Sequence, residues 1–155
     1  MIAQKKGVNI LERGSAVHAM AEFQELLDFP PAPKLDVFGR LNPQLATAEE
    51  LRGETIFFGK GRCAECHAGP IFSDNFMHDL KTERFFQPVL VNGRYAAADG
   101  KIKTFPLRGI KESAPYLHDD RLLTLGDTVE FFNLVLGTRL TDQEKQDLVT
   151  YMYTL

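Results

Sequence analysis

Both cysteines of the chain fall in one pentapeptide, Cys63-Ala64-Glu65-Cys66-His67. No other feature restricts the fold as much. C-x-x-C-H is the spacing of c-type haem attachment. Two thiols three residues apart on one helical turn can each form a thioether to a haem vinyl group, and the next side chain then lies under the iron as its proximal ligand. A thioredoxin-like C-x-x-C requires a βαβ context, and a structural zinc site requires a second pair of thiolates or imidazoles at ligand spacing. The sequence supplies neither. With both thiols committed to haem, no cysteine is left for a disulfide.

The flanks agree with this reading. Thr47-Ala48-Glu49-Glu50 has the form of a capping box, with Thr47 as N-cap and Glu50 three residues on. Leu51, Thr55 and Phe58 follow at helical spacing, so a helix is expected from about Ala48 to Gly59, delivering the chain to the cysteines. After the motif, Ala68-Gly69-Pro70-Ile71-Phe72 resembles the Gly-Pro turn of class I cytochromes c. There a backbone carbonyl accepts the second N–H of the proximal imidazole and fixes its tautomer. That resemblance places Pro70 in the haem site.

At 155 residues the chain suits one domain, which buries about 68–70% of its unfolded surface. Hydrophobic content of 44% with 25% charged residues is that of a globular protein. The formal charge of −3 and the scatter of basic residues exclude a nucleic-acid footprint. No apolar run approaches 18 residues, which excludes a spanning helix. The start, Met1-Ile2-Ala3-Gln4-Lys5-Lys6, lacks the apolar core of a signal peptide. Haem is attached to such motifs outside the cytoplasmic membrane, so a periplasmic location is expected, with the leader removed or the chain one piece of a longer exported protein.

Ser15 to Phe29 reads as a helix with Val17, Met20, Phe23 and Leu27 along one face, ended by Pro30, Pro31 and Pro33. Residues 1–35 are therefore expected to form a helix and proline-rich linker, a remnant of a preceding domain or an extra helix of this one, ahead of a cytochrome domain over 36–155. Ser73 to Thr82 reads as a short helix or loop. From Phe85 to Leu107 helical periodicity vanishes, and Asn92-Gly93 and Asp99-Gly100 signal a hairpin-like or irregular excursion. Two helices close the chain. One follows the candidate N-cap Thr124, with Leu125, Val129, Phe132 and Leu136 as its stripe and Gly137 as its stop; the other follows the capping box Thr141 to Glu144. The expected fold is all-α, a class I cytochrome c-like haem-wrapping domain with an irregular loop excursion.

Longer stretches carry a wider likeness. Cys63 to His78, Thr104-Phe-Pro-Leu-Arg-Gly-Ile110, Ala114-Pro-Tyr-Leu-His-Asp-Asp120 and Leu136 to Glu144 resemble the C-terminal haem domain of bacterial dihaem cytochrome c peroxidases and the related methylamine-dehydrogenase maturation enzymes. The resemblance covers residues 47 to 155, and residues 15 to 35 resemble the end of the preceding haem domain and its linker. Whole members carry two C-x-x-C-H motifs, whereas this chain carries one. The resemblance implies that peroxide is handled at the N-terminal haem and that the C-terminal haem stores or relays an electron. It matches Arg108 to an arginine that pairs with a haem propionate, with a surface ion pair as the alternative. It also relates Ser113 and the Pro115 carbonyl to an inter-domain calcium site that here lacks most of its ligands.

The sequence leaves the sixth iron ligand open. The resemblance places the family's distal Met or Tyr at Phe131 or Phe132, and a phenyl ring cannot ligate. His118 is the leading replacement and Met77 the next, with an open or water-bound iron as the third reading; His78 reads as a propionate or packing contact. Phe57, Phe58, Phe72, Phe131 and Phe132 read as pocket and core residues.

The leading expectation is a single-haem electron-transfer domain, the relay half of a dihaem peroxidase-like protein. Its partner would be a small cytochrome, a cupredoxin or a second haem domain. The alternative is a haem enzyme with an open distal site that reduces hydrogen peroxide, which needs an acid/base group; Glu112, Asp119 and Glu130 are available. A sensor module ranks last, because no linker to an output domain is visible.

Overall fold

The computed structural model describes residues 14–80, 89–96 and 101–155, which fall into two compact units dividing between Pro30 and Pro31. In the first unit, helix α1 (Ala16–Glu25) starts at Ser15, whose hydroxyl accepts from the His18 amide at 3.2 Å. It is shorter than the expected span to Phe29. The Phe29 amide is turned onto the Asp28 carboxylate at 2.7 Å, and Pro30 steers the residue before it out of the helical region. The apolar stripe is present, yet Val17, Met20, Phe23 and Leu27 are all exposed.

The second unit is built on α2 (Ala48–Phe58), α3 (Leu125–Leu136) and α4 (Asp142–Met152). Each has a complete capping box, Thr47 with Glu50, Thr124 with Asp127 and Thr141 with Glu144, so the first-turn amides that a helix leaves unpaired are satisfied locally. Gly137 ends α3 at φ 64°, a conformation that glycine adopts without a Cβ penalty.

Helices α2 and α4 pack most closely. At their crossing stands Gly53, where a Cβ would lie 2.0 Å from the Asp147 carbonyl oxygen. The close approach is sealed at the rim by Arg52, which donates from Nε to Asp147 Oδ2 at 2.7 Å and from Nη2 to Oδ1 at 3.1 Å. Beneath the crossing lies an aromatic knot: Phe57 meets Tyr151, Phe58 and Phe72 with ring centroids 5.2, 5.3 and 5.9 Å apart. Phe57, Phe72, Tyr151 and Leu155 are wholly buried, and such rings dominate core energetics. The segment before α2 is pinned to that helix by polar contacts. Glu54 Oε1 accepts from the Leu41 amide at 2.8 Å, and Lys34 Nζ donates to Glu50 at 2.6 Å.

The fold is helix-rich but not purely α, which corrects the all-α expectation. Strand β1 (Met77–Asp79) pairs antiparallel with β4 (Lys101–Lys103) in the register Met77 to Lys103, His78 to Ile102 and Asp79 to Lys101. Strand β2 (Val89–Val91) pairs with β3 (Arg94–Ala96) as a hairpin. Its turn is Asn92-Gly93, with φ of 50° and 75°, the pair of positive values that a two-residue primed turn demands. Three-residue strands are too short to show a period of two in sequence, so β1 lies within what read as a helix or loop. The Asp99-Gly100 turn signal falls outside the described residues. Among the described residues no helix is long and apolar enough to cross a membrane.

Candidate haem site

Helix α2 ends at Phe58, and the chain then turns sharply through Gly59 to Arg62. A Cβ on Gly61 would sit 2.8 Å from the Ile56 carbonyl oxygen and 3.4 Å from Cys63 Sγ, so the turn closes directly against the first cysteine. Arg62 takes φ 59° and opens a 3-10 turn over Cys63–Glu65. The amides of Cys66 and His67 both donate to the Cys63 carbonyl, at 3.3 and 2.9 Å. One tight turn thus brings the two sulfurs and the imidazole together, as the spacing implies.

His67 Nδ1 lies 2.8 Å from the Phe72 carbonyl oxygen. This contact makes Nδ1 the donor and leaves Nε2 as the atom with a lone pair. Burial lowers the imidazole's pKa, against the opposing pull of the Phe72 and Phe105 carbonyls, so the neutral, ligating form is favoured. The Gly69-Pro70 turn supplies the reach. Phe72 takes φ 61°, and its ring and Pro70 press on Gly39, where a Cβ would stand 3.0 Å from the Phe72 ring and 3.1 Å from Pro70 Cα. The expected carbonyl therefore belongs to Phe72, two residues beyond the proline.

Cys63 and Cys66 are not joined in a disulfide. Burial pushes Cys63 up to about 12, and burial together with the Asp74 carboxylate raises Cys66. Both shifts favour the protonated thiol, the form whose S–H adds across a vinyl group.

Asp74 braces the loop beyond the motif. Its amide donates to the Cys66 carbonyl at 2.9 Å, and its carboxylate takes the Phe76 amide at 2.9 Å and His78 Nε2 at 2.7 Å. The Phe76 amide, with Thr104 and His78, holds that carboxyl at about 2. Cys66, Asp74 and His78 present their ligating atoms within 4.8 Å of one another. Sequence reasoning did not foresee this triangle; the i, i+4 spacing of Asp74 and His78 was its only signal.

Cys66 and His78 edge a cavity of about 280 Å³. Cys63, Cys66 and His67 line it with Arg62, Glu65 and His78. Helix α3 lays one face along it, Thr128, Val129, Phe132, Asn133 and Leu136, and Phe57, Leu80, Leu107, Leu140, Leu148 and Met152 complete a mostly apolar wall. A flat, largely apolar macrocycle fits this donor set: two sulfurs to attach it, an oriented imidazole to ligate its iron and hydrocarbon walls to enclose it.

The other residues that the sequence singled out lie elsewhere. Pro70, Arg108, His118 and Met77 are not among the residues lining the cavity, and Met77 is more than half exposed on β1. Of the two phenylalanines singled out on α3, Phe132 faces the cavity and Phe131 packs edge-on against it with centroids 5.5 Å apart. Phe58 instead carries the Arg40 guanidinium 3.9 Å above its ring. None of the acid/base candidates lines the cavity; Asp119 pairs with Arg121 at 2.6 Å and Glu130 with Lys145 at 2.8 Å. The Ser113 hydroxyl donates to the Gly109 carbonyl at 3.4 Å.

No family model matches the chain. Individual proteins do. It is 30% identical to a cytochrome-c peroxidase, IdrP1, of Denitromonas iodatirespirans over 70% of the chain and 40% of that protein. It is 30% identical to a second, IdrP2, of Pseudomonas sp. (strain SCT) over 89% and 47%. Methylamine utilization protein MauG of Methylorubrum extorquens is 28% identical over 88% and 42%. The chain therefore spans less than half the length of these curated relatives. Among solved structures, a hydrazine synthase chain of Kuenenia stuttgartiensis superimposes with a TM-score of 0.65 at 27% identity, over 90% of this chain and 55% of that one. A MauG-like protein associated with microbial copper homeostasis gives 0.67 at 23%, over 99% and 60%, which speaks for the fold alone.

Proposed function

Homologues of this chain are the dihaem cytochrome c peroxidases and MauG, and from that premise we propose that it is a c-type cytochrome domain carrying a single covalent haem for one-electron transfer, the relay half of a peroxidase-like protein. The observation that carries the reading is the orientation of His67 by the Phe72 carbonyl on the same cavity that both cysteine sulfurs line. Cys63 and Cys66 would hold the haem by thioethers, and His67 Nε2 would ligate its iron. When bound, the haem supplies Fe(III)/Fe(II) cycling. The chain's own part is to fix the imidazole, to exclude water with the α3 and α4 walls and so to set the potential. Pro70 acts by shaping the turn that carries Phe72.

Relay is favoured over peroxide reduction because the cavity wall offers no poised acid/base carboxylate among the candidates: Glu112 is not on the wall, and Asp119 and Glu130 are held in ion pairs. The electron partner is a small cytochrome, a cupredoxin or a second haem domain, and the site of action is the periplasm, where such haems are attached. Voltammetry of the haem-loaded chain tests this. A reversible one-electron wave with no catalytic current on adding hydrogen peroxide is the expected result; steady peroxide consumption overturns it.

A further inference from the structure

His67 supplies one axial bond, so the sixth position of the iron depends on what else the cavity wall can offer. The α3 face is Thr128, Val129, Phe132, Asn133 and Leu136, and none of these is a histidine, methionine, lysine, tyrosine or cysteine. Its two polar members are already engaged in the helix and its cap. Thr128 Oγ1 donates to the Thr124 carbonyl at 3.0 Å, and Asn133 Oδ1 accepts from Thr138 Oγ1 and from the Leu140 amide, both at 2.9 Å.

Elsewhere on the described wall, apart from the motif itself, the strong axial donors are His78 and Met152. His78 gives Nε2 to Asp74, and its ligating atoms stand within 4.8 Å of those of Cys66. Cys66 is the sulfur that anchors the macrocycle's rim, so His78 belongs to the rim and not to the axis above the iron. Met152 lies one turn beyond Leu148 on the core-facing side of α4 and is buried in the same cluster as Leu107, Leu148 and Leu155, the position of a gap-filling wall residue. Of the residues outside the described ones, 81–88 and 97–100 contain no histidine, methionine, tyrosine or cysteine, and Lys81 is their one amine.

Resting on the haem reading above, we infer that the sixth coordination position is left without a protein ligand, on a face formed by α3 around Phe132, and is a binding site for a small neutral diatomic molecule such as carbon monoxide or nitric oxide. The ligand class follows from the lining. A bound anion or an activated oxygen needs a hydrogen-bond donor over the iron, and on the α3 face Thr128 Oγ1 donates to the Thr124 carbonyl and Asn133 Nδ2 to Glu130 Oε2 at 3.4 Å. A neutral π-acceptor needs only an open position and an apolar surround.

The test uses the full chain, exported and loaded in a host that attaches c-type haem, with covalent loading verified separately by pyridine haemochrome. The oxidised chain is expected to be high-spin, and the reduced chain to bind carbon monoxide with a Soret shift. Phe132→His is expected to convert the oxidised spectrum to low-spin and to abolish carbon monoxide binding. A low-spin spectrum in the unsubstituted chain with no carbon monoxide binding overturns the inference while leaving the haem reading intact. A Phe132→His chain that loads haem yet stays high-spin overturns the placement of residue 132 over the iron. Failure of the haemochrome assay itself overturns the haem reading instead.

Discussion

Gly53 on α2 and the Asp147 carbonyl on α4 are so close that the smallest side chain at position 53 would stand 2.0 Å from that oxygen. Backbone here touches backbone, and neither can give way as the end of a long side chain would. Gly53→Ala is therefore expected to destabilise the unit by about 3 kcal/mol, despite alanine's better helix propensity. Urea denaturation of the two chains measures it; an unchanged midpoint would mean the helices do not cross where described.

Tyr151 offers the opposite case. Its ring is wholly buried against Phe57, while its hydroxyl is buried without a hydrogen-bond partner among the described residues, and burial raises its pKa. A buried polar group left unpaired costs about 1–3 kcal/mol, so Tyr151→Phe should leave stability unchanged or improve it. Tyr151→Ala should cost about 3–5 kcal/mol, because the ring fills the core. Thermal melts of both substitutions separate hydroxyl from ring.

Arg52 and Asp147 set part of the acid response. The Arg52 guanidinium, with Gln143, holds the Asp147 carboxyl below its usual range. A carboxyl depressed in the folded state stabilises fully above its unfolded value of about 3.9, and that stabilisation is lost as pH falls through the folded value. Asp147→Asn should lower stability at pH 7 by about 1–2 kcal/mol, since Arg52 is half exposed and screened. It should also flatten the fall in stability below about pH 4. An identical acid limb in both chains would show that the pair contributes nothing.

The turn beneath the imidazole can be probed through Gly39. At φ 76°, with the Phe72 ring 3.0 Å from any Cβ, Gly39→Ala must displace Phe72 or its own loop. The expected result is a chain that still binds haem covalently but with a potential shifted from that of the unsubstituted chain, because the Phe72 carbonyl no longer holds His67 as firmly. Equal potentials would detach the Gly39 packing from the site.

Much of this was legible in sequence. Three helices of the second unit begin at the Thr-x-x-Glu and Thr-x-x-Asp signatures because capping is a local matter, settled within four residues. The cysteine turn and the Asn92-Gly93 hairpin turn were readable for the same reason. What was not legible depends on partners distant in sequence. Strand β1 exists because β4, more than twenty residues on, lies beside it. Arg108 and His118 carried expectations from family resemblance, yet the cavity wall is drawn from Leu80, Leu107, Leu140 and Leu148, leucines that no local pattern marks as facing a cofactor.

The account rests on covalent haem at Cys63 and Cys66, and mass spectrometry of the exported chain with thiol alkylation addresses it most directly. The predicted result is one haem per chain, resistant to acid-acetone extraction, with neither cysteine alkylated and with Cys63→Ser and Cys66→Ser together abolishing attachment. A chain of apo mass carrying two alkylated thiols, from a host that loads a control c-type cytochrome, would contradict it.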